Sequence, residues 1–259
     1  EKIAKWTFDE DGNVVKEGET IEGEVESIYI NDEGVQLSEK FIYVKNELYE
    51  GILRTCYSSG KIKQEIVFKD GTANGFVKIY FPSGKLQFEG AYKDGVPKWK
   101  SKTYYESGQL QIEKAMEVKT EVYRSFYEDG KIEMEAAYKN GREYGPYKIY
   151  YPNGSLKIDG TNKDGKKEGL YRAYYDNGLI KLEGRYENGL EEGLFTLYFP
   201  SGKVMTEENY SRGKRNGPIK IYYENGNIKS EGEFLDGKEE GTFRIYFEEG
   251  NVKLEGTYK

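Results

Sequence analysis

One short phrase returns along this chain at a nearly fixed interval, and it constrains the fold more than any other feature. Its best copies read Tyr-Tyr-x-Asn-Gly, and we call the closing residue of each copy the phrase glycine. Successive phrase glycines lie 24 residues apart, except for one interval of 22. They are Gly60, Gly84, Gly108, Gly130, Gly154, Gly178, Gly202, Gly226 and Gly250. A period between about 20 and 50 residues is the signature of a repeat architecture, in which each unit contacts only its neighbours.

The residues around each phrase glycine alternate in a way that is typical of a β-hairpin. Counting from that glycine, position −3 is aromatic and position +2 is aliphatic in all nine copies. Apolar residues spaced by two on each side of Asn-Gly or Ser-Gly favour two strands joined by a tight turn. Asn-Gly supplies the two positive φ angles of a two-residue type I′ turn. With that turn, position −3 is predicted to face +2, −5 to face +4, and −6 to face +5.

Charged residues occupy two of these facing positions. Position +5 is acidic in all nine copies, and position −6 is basic in eight, with Thr196 as the exception. The register therefore predicts ion pairs between strands, such as Arg172 with Glu183 and Arg244 with Glu255. Each pair is worth about 0.2–1 kcal/mol. Their greater expected value lies in fixing the register, because a slip by one residue would turn the aliphatic side chains to the wrong face.

Position −4 carries tyrosine or phenylalanine in eight copies and Cys56 in the ninth. By alternation these rings share a face with the charges. They either cover neighbouring strands, which is the favoured reading, or form a recognition stripe for a partner or a sugar polymer, and both roles can hold. Cys56 is interpreted as a tolerated small apolar residue rather than a reactive thiol. The candidate interaction stripe consists of Tyr80, Tyr104, Tyr150, Tyr174, Tyr198, Tyr222 and Tyr246.

A second glycine turn follows eleven residues after most phrase glycines, as at Gly189. In most copies another glycine comes four residues later, as at Gly193. We interpret this Asn/Asp-Gly-x-x-x-Gly segment as a looser return connection between hairpins. The copy that follows Gly108 lacks it between Met116 and Thr120, and this gap predicts a bend in the array.

The first part of the chain is a degraded version of the same pattern. Residues 1–49 are interpreted as degenerate repeats that act as a cap, continuous with the regular repeats of residues 50–259. Gly12 and Gly34 fit the phrase-glycine position, with Glu17 and Glu39 at +5, but the spacing and the aromatic positions drift. Terminal units of a solenoid are often atypical. The chain is therefore predicted to be all-β, an elongated single-sheet solenoid of antiparallel β-hairpin repeats with a period of about 24 residues.

One complete unit, Gly169 to Gly189, reads Gly-Leu-Tyr-Arg-Ala-Tyr-Tyr-Asp-Asn-Gly-Leu-Ile-Lys-Leu-Glu-Gly-Arg-Tyr-Glu-Asn-Gly. Such units resemble the MORN-repeat variant of bacterial proteins, including the YwqK-type antitoxin family. The resemblance covers residues 50–259 well and residues 1–49 weakly. It implies an all-β array of hairpins that acts through contacts with partners.

Several patterns that would indicate an enzyme or a ligand site fail on inspection. The chain has no histidine, which removes Ser-His-Asp and Cys-His activation and the commonest transition-metal ligand. Residues 160–167 nearly match a phosphate-binding loop, but Lys167 stands where Ser or Thr is needed and a strand follows. Residues 9–13 lack the helices of a calcium loop. The +5 carboxylates recur in every copy, unlike a catalytic pair. We therefore expect no enzyme, no cofactor and no metal site.

The predicted function is that of a non-enzymatic repeat scaffold that mediates protein–protein interaction, with an antitoxin-like neutraliser as one form. The alternative is a cell-envelope or surface module that binds glycan through an aromatic ladder. The net charge of −7 argues against nucleic acid and anionic membranes as partners. No apolar run approaches the ~20 residues of a transmembrane helix. We expect a bacterial protein, with an extracytoplasmic location slightly favoured over a cytoplasmic one. Because the sequence starts at Glu1, either a leader was removed or the sequence begins within its gene.

Overall fold

A computed structural model of the chain describes residues 7–8, 14–15, 23–30, 36–44, 47–57, 59–117 and 120–258. Side chains are described from residue 50 onward, apart from those of Cys56 and Glu117. The sequence predictions for Gly12, Gly34, Glu17 and residues 9–13 lie outside the described residues, as does the prediction for the Cys56 thiol.

The described residues form 23 β-strands and no helix, as short aromatic and β-branched segments between glycine turns predict. Within this part of the chain there is accordingly no helix long and apolar enough to cross a membrane. The strands are β1 (Thr7–Phe8), β2 (Val14–Val15), β3 (Gly23–Ile30), β4 (Gln36–Val44), β5 (Glu47–Cys56), β6 (Ile62–Lys69), β7 (Thr72–Tyr80), β8 (Leu86–Lys93), β9 (Val96–Tyr104), β10 (Leu110–Glu117), β11 (Thr120–Phe126), β12 (Ile132–Lys139), β13 (Arg142–Tyr150), β14 (Leu156–Lys163), β15 (Lys166–Lys167), β16 (Gly169–Tyr174), β17 (Ile180–Glu187), β18 (Leu190–Tyr198), β19 (Val204–Ser211), β20 (Lys214–Tyr222), β21 (Ile228–Leu235), β22 (Lys238–Tyr246) and β23 (Val252–Tyr258).

The chain divides into two compact units, and each is built from consecutive antiparallel pairs. The first comprises Glu1–Met116 with Glu128–Gly130, and the second comprises Glu117–Tyr127 with Lys131–Lys259. In the first unit each strand from β3 to β10 pairs with the next, and β1 pairs with β2. In the second, β11 to β23 pair in the same consecutive way, except that β15 and β16 each pair with β14. The prediction of an all-β chain of antiparallel hairpin repeats is confirmed.

The turn that ends in the phrase glycine has three residues, not the two that the sequence predicts. At Gly178 the backbone N–H donates to the Tyr175 carbonyl at 3.0 Å, and the Tyr175 N–H donates to the Leu179 carbonyl at 2.9 Å. Gly178 has a φ of 84°, while Asn177 is not among the described residues with positive φ. This is a type I turn closed by a left-handed glycine. The type I′ prediction for this turn is wrong, because only one of its residues takes a positive φ.

The type I′ geometry belongs instead to the return turn, which the sequence analysis interprets as a loose connection. Asn188 and Gly189 have φ values of 52° and 88°, and Glu187 pairs with Leu190 directly across them. Two adjacent positive φ angles define this tight two-residue loop. The interpretation of this segment as a loose connection is therefore wrong. Asn/Asp-Gly occurs in both turns of each repeat, and only the strand register shows which of the two turns is the two-residue loop. The glycine four residues later sits at an irregularity of the ladder, as at Gly193, where φ is 75°.

The charged register is nevertheless the predicted one. In β16 and β17, Arg172 lies across from Glu183 and Ala173 across from Leu182, which confirms the −6/+5 and −5/+4 pairings. Nearer the turn Tyr174 lies across from Ile180, so the −3/+2 pairing is wrong. The three-residue loop shifts the pairing by one residue. A bulge at position +3, occupied here by Lys181, restores it.

The hairpin β3–β4 differs from the regular repeats. Its ladder runs without a bulge over eight pairs, and Glu39 lies across from Ser27. In the regular repeats the residue at +5 instead lies across from the residue at −6. A register shift lies between this pair of residues and the turn. Position +5 in this hairpin therefore does not face position −6.

Alternation along the strands separates the side chains into two faces. The face with positions −6, −4 and +5 is called the ladder face, and the face with positions −7, −5, +4, +6 and +8 is called the aromatic face. Of the large side chains described, none is fully buried. The most enclosed apolar residues are Val77, Ala136, Tyr147, Tyr186 and Phe195. Packing in the described sheet is thus side chain against side chain along each face.

Candidate functional site

The ladder face carries a row of charges that crosses consecutive strands. Most +5 carboxylates have a −6 residue on both sides, as Glu231 pairs with Lys220 in β20 and with Arg244 in β22. The predicted ion pairs form, with Arg172 Nε 3.2 Å from Glu183 and Arg244 Nε 2.6 Å from Glu255. Further pairs join Arg54 to Glu65, Lys102 to Glu113 and Arg124 to Glu135.

The tyrosines of the predicted stripe lie on this face and are tied to the same carboxylates. Six of the seven stripe hydroxyls reach back to the +5 residue of the preceding repeat, as Tyr222 donates to Glu207 at 2.6 Å. The prediction that position −4 shares a face with the charges is therefore confirmed. The other such bonds are Tyr80 to Glu65, Tyr104 to Glu89, Tyr150 to Glu135, Tyr198 to Glu183 and Tyr246 to Glu231.

Tyr174 is the exception among the seven stripe tyrosines. The residue at +5 of its preceding repeat is Asp159, which is one methylene shorter than glutamate. Within the described part of the chain the Tyr174 hydroxyl has no hydrogen bond to that carboxylate. The difference supplies a natural control, because Tyr222 and Tyr174 occupy the same repeat position and only Tyr222 makes this contact.

These contacts shift the pKa values of both partners, as Tyr80 and Glu65 show. Burial raises the pKa of Tyr80 to about 12, and the hydrogen bond to Glu65 acts in the same direction. Burial alone would raise the pKa of Glu65, but hydrogen bonds from Tyr80 and Arg54 outweigh it and the pKa is lowered. The tyrosine therefore keeps its proton while the glutamate stays ionised, which is the arrangement that favours a charge-assisted hydrogen bond.

The aromatic residue at −3 joins one phrase turn to the next. Tyr175 donates from its hydroxyl to the Tyr198 carbonyl at 2.7 Å, and Tyr223 does the same to Tyr246 at 2.8 Å. The ring of Tyr175 is also covered by Lys181, whose Nζ lies 5.6 Å from the ring centroid. Position −3 is thus used between repeats, a role that the sequence analysis did not predict.

The aromatic face of the second unit holds a run of rings from several strands. Tyr171 and Tyr186 meet with ring centroids 5.5 Å apart, Tyr186 and Phe195 at 5.4 Å, and Phe195 and Tyr210 at 5.2 Å. All three contacts are edge-to-face, a favoured geometry for aromatic pairs. They join position +8, which is mostly aromatic in the sequence, to position −7, which is aromatic in five copies. The rings at −7 were not among the predicted site residues.

Glycines at position +6 make room for these rings. A β-carbon on Gly184 would overlap the ring of Phe195, and one on Gly160 would come within 2.8 Å of the Tyr147 ring. These glycines have no positive φ, so the need is for space and not for backbone conformation. The same column holds Gly90, Gly232 and Gly256.

Glu208 is one of four residues that stand at +6 in place of glycine, with Ile66, Lys114 and Ala136. It stands at +6 in β19, where it pairs with Arg215 through Nε at 3.0 Å and Nη2 at 3.3 Å. Its carboxylate also accepts a 2.6 Å hydrogen bond from the Tyr210 hydroxyl. This combination of carboxylate, guanidinium and phenol departs from the repeat, and departures from a repeat are where a specific site is expected.

A shallow cavity of about 220 Å³ opens on the aromatic face beside Glu208. Its lining includes the rings of Tyr186, Phe195 and Tyr210 and the carboxylates of Glu191 and Glu208. Burial raises the pKa of Tyr186 to about 12, and the nearby Glu191 carboxylate acts in the same direction. A second depression of about 200 Å³ lies on the ladder face, lined by residues that include Leu194 and Lys220.

The near match to a phosphate-binding loop lies in a return turn. Asp164 and Gly165 have φ values of 52° and 79°, and Lys163 pairs with Lys166 across them. The strand β16 follows, and no helix. Among the residues that the structure describes, no group of three or more carboxylates or thiols is placed to hold a metal ion.

A comparison with protein families supports the repeat pattern. The family model described as MORN repeat variant matches nine ranges, which together cover more than half of the chain. The matched residues are 49–70, 74–94, 100–114, 122–140, 143–162, 167–188, 191–212, 215–236 and 239–259. A comparison with curated proteins gives no match.

Proposed function

This chain belongs to the MORN repeat variant family, and we propose that it acts as a non-enzymatic scaffold that binds another protein through its aromatic face. Repeats that contact only their neighbours offer a continuous surface for a partner. The observation that carries the proposal is the cavity bounded by Tyr186, Phe195 and Tyr210, which is shallow, aromatic and flanked by two carboxylates.

Aromatic side chains favour this use, because they bury a large area and lose little rotamer entropy. The hydroxyls of the stripe tyrosines serve the ladder, as Tyr222 does with Glu207. The rings around the cavity instead contribute their edges and faces to an open depression. The tyrosine stripe stays a second candidate contact surface, since a ring can contact a partner while its hydroxyl is hydrogen-bonded.

An antitoxin-like role is the finer form of this proposal. The resemblance of the repeats to the YwqK-type antitoxin family implies this role. An antitoxin-like role requires only that the bound protein lose its own activity. The corresponding experiment measures the activity of any protein that the scaffold retains, with and without a molar excess of the scaffold. Full activity in the complex would contradict the antitoxin-like role and leave the scaffold in place.

Glycan binding is the alternative, and the contacts of the rings outside the tyrosine stripe weigh against it. A sugar stacks on the face of an aromatic ring. Several faces at position −3 are covered by the lysine at +3, as Lys157 covers Tyr151 and Lys229 covers Tyr223. On the aromatic face the rings of Tyr186 and Phe195 lie 89° to each other, so that each presents an edge to the next.

The experiment that tests the scaffold is affinity capture from an extract of the source organism with the full chain immobilised. Mass spectrometry identifies what is retained, with an unrelated all-β protein on the control beads. The expected result is a protein retained by this chain alone. Retention of no protein, together with binding on a glycan array, would overturn the proposal in favour of the glycan alternative.

A further inference from the structure

One column of the aromatic face alternates in charge from repeat to repeat. Position +13, two residues after the return-turn glycine, lies across from position +8 in each pair of strands, as Glu191 lies across from Tyr186 and Arg215 across from Tyr210. In five consecutive copies it reads Glu143, Lys167, Glu191, Arg215 and Glu239. The backbone of position +13 has the same placement in these copies, so the copies differ at this position in the sign of the side-chain charge.

Where this position is basic, its cation lies over aromatic rings of the same face. Lys167 Nζ is 4.5 Å from the ring centroid of Tyr171 and 4.6 Å from that of Tyr186. The Arg215 guanidinium carbon is 5.4 Å from the ring centroid of Phe234. These distances lie within the ~6 Å range of cation–π attraction. The molecule thus shows which kind of group its aromatic face attracts.

Where the position is Glu191, it supplies no cation of its own. Lys167 lies over the Tyr186 ring from the neighbouring repeat, and the described residues place no cation over the rings of Phe195 and Tyr210. Tyr186, Phe195 and Tyr210 surround the cavity, and none of its lining residues is basic. Arg215 is engaged with Glu208 at 3.0 Å. Of the ion pairs found among residues whose side chains the structure describes, none includes Glu191. A group from outside would therefore meet both aromatic rings and the Glu191 carboxylate.

We propose that this cavity, hereafter the Glu191 site, takes one basic side chain, lysine or arginine, from an extended segment of the partner protein. The inference rests on the proposed scaffold function and names the chemistry of its partner. At about 220 Å³ the cavity is smaller than the ~300–1,000 Å³ of typical small-molecule sites and suits a single side chain. The chain's net charge of −7 favours a basic segment over an acidic one.

The probe for the test is n-butylammonium, which carries the end of a lysine side chain, with n-butanol as its neutral match. Nuclear magnetic resonance follows the signals of the full chain during titration with each compound. We expect butylammonium to cause saturable shifts in the signals of Tyr186, Glu191, Phe195 and Tyr210. We expect butanol at the same concentration to cause no saturable shift in these signals. The absence of a saturable shift with butylammonium, or equal binding of butanol, would overturn the inference.

Two matched variants test the role of the charge itself. Glu191→Lys places at this site the cation that Lys167 supplies one repeat earlier, so the affinity for butylammonium should fall by about tenfold or more. Lys167→Glu makes the reverse exchange and should create a second set of saturable shifts, at Tyr171. Glu191→Gln guards against a folding defect and should weaken binding by a smaller factor. Unchanged affinity in Glu191→Lys, or no new shifts in Lys167→Glu, would contradict the assignment.

The failure of this inference can be told apart from failure of the scaffold proposal. If a captured partner protein binds Glu191→Lys as well as it binds the original chain, the basic side chain is not seated here and the scaffold stands. If no partner is captured but butylammonium binds as expected, the Glu191 site stands and the scaffold proposal fails.

Discussion

The two faces of the sheet follow different rules. On the ladder face one arrangement returns in nearly every repeat, in which a base, a carboxylate and a tyrosine from the next repeat are joined. On the aromatic face position +6 is glycine in one copy and Glu208 in another, and position +13 alternates in sign. The constant face explains how the repeats are aligned. The variable face is where one repeat differs chemically from the next, and a specific partner can only be recognised by such differences.

The ladder face is constant because each of its groups serves more than one strand. Glu183 accepts hydrogen bonds from Arg172 at 3.2 Å and from Tyr198 at 3.0 Å, and these donors lie on the strands at either side. A change at one position therefore leaves partners on two strands unsatisfied. On the aromatic face a change mainly alters local volume and charge.

The largest expected effect is alkaline unfolding, in which both faces take part. Folded tyrosines have pKa values raised to about 12, because of burial first, on the ladder face at Tyr80 and Tyr222 and on the aromatic face at Tyr147 and Tyr186. A raised pKa stabilises the fold fully below the unfolded value of ~10 and is lost as the pH rises through the folded value. The sheet should therefore unfold between about pH 10 and 12. Tyrosinate absorbance and circular dichroism should change together. Ionisation near pH ~10 with the sheet signal intact would contradict the assignment.

The next effect concerns space on the aromatic face. Gly184→Ala places a β-carbon against the ring of Phe195, and overpacking of this kind costs about 1–3 kcal/mol. Gly232→Ala is the matched control in the same column, because its nearest neighbour, a Phe243 atom, lies 3.6 Å away. The control should change the free energy of unfolding by less than about 0.5 kcal/mol. Urea unfolding compares the two. Equal midpoints would show that the glycine column is not kept for the rings.

A smaller effect is expected from the hydroxyls of the ladder face. Tyr222→Phe removes the 2.6 Å hydrogen bond to Glu207, at a cost of about 1 kcal/mol. Tyr174→Phe should cost less than half as much, because no such bond is present at Asp159 within the described structure. Thermal or urea unfolding of both variants makes the comparison. An equal loss in the two would show that the hydrogen bond to the +5 carboxylate does not stabilise the fold.

The smallest effect is that of a single exposed ion pair. A double-mutant cycle with Arg172→Ala and Glu183→Ala should give a coupling of about 0.2–1 kcal/mol, since both side chains are partly exposed. The coupling should shrink in ~1 M salt, where the screening length is only ~3 Å. A coupling that stays the same in high salt would mean that hydrogen-bond geometry, not charge, holds the pair.

Much of the fold could be predicted from the sequence, because the period and the charged columns report register directly. The pairing of Arg172 with Glu183 follows from counting. The turn types could not be assigned, because Asn-Gly occurs at Gly178 and at Gly189 and suits both geometries. A bulge at Lys181 then hides the difference by restoring the register beyond the turn.

The candidate site was less accessible to sequence reasoning. Its signal is a departure from the repeat, Glu208 at a position that is glycine in five copies, whereas the residues that recur report only the fold. The edge-to-face contacts of Phe195 also depend on which −7 and +8 residues become neighbours between repeats. To predict which of these residues become neighbours, one must know the number of residues in both turns of the repeat.

The central claim is that the constant face builds the array and the variable face binds. Glu191 and Glu192 test it most directly, because they are adjacent in β18 and lie on opposite faces, Glu191 in the aromatic cavity and Glu192 across from Arg185. Affinity capture with Glu191→Lys and Glu192→Lys, at matched folded concentration, reports which face the partner uses. We expect Glu191→Lys to lose the captured protein and Glu192→Lys to keep it. Loss with Glu192→Lys and retention with Glu191→Lys would contradict the account.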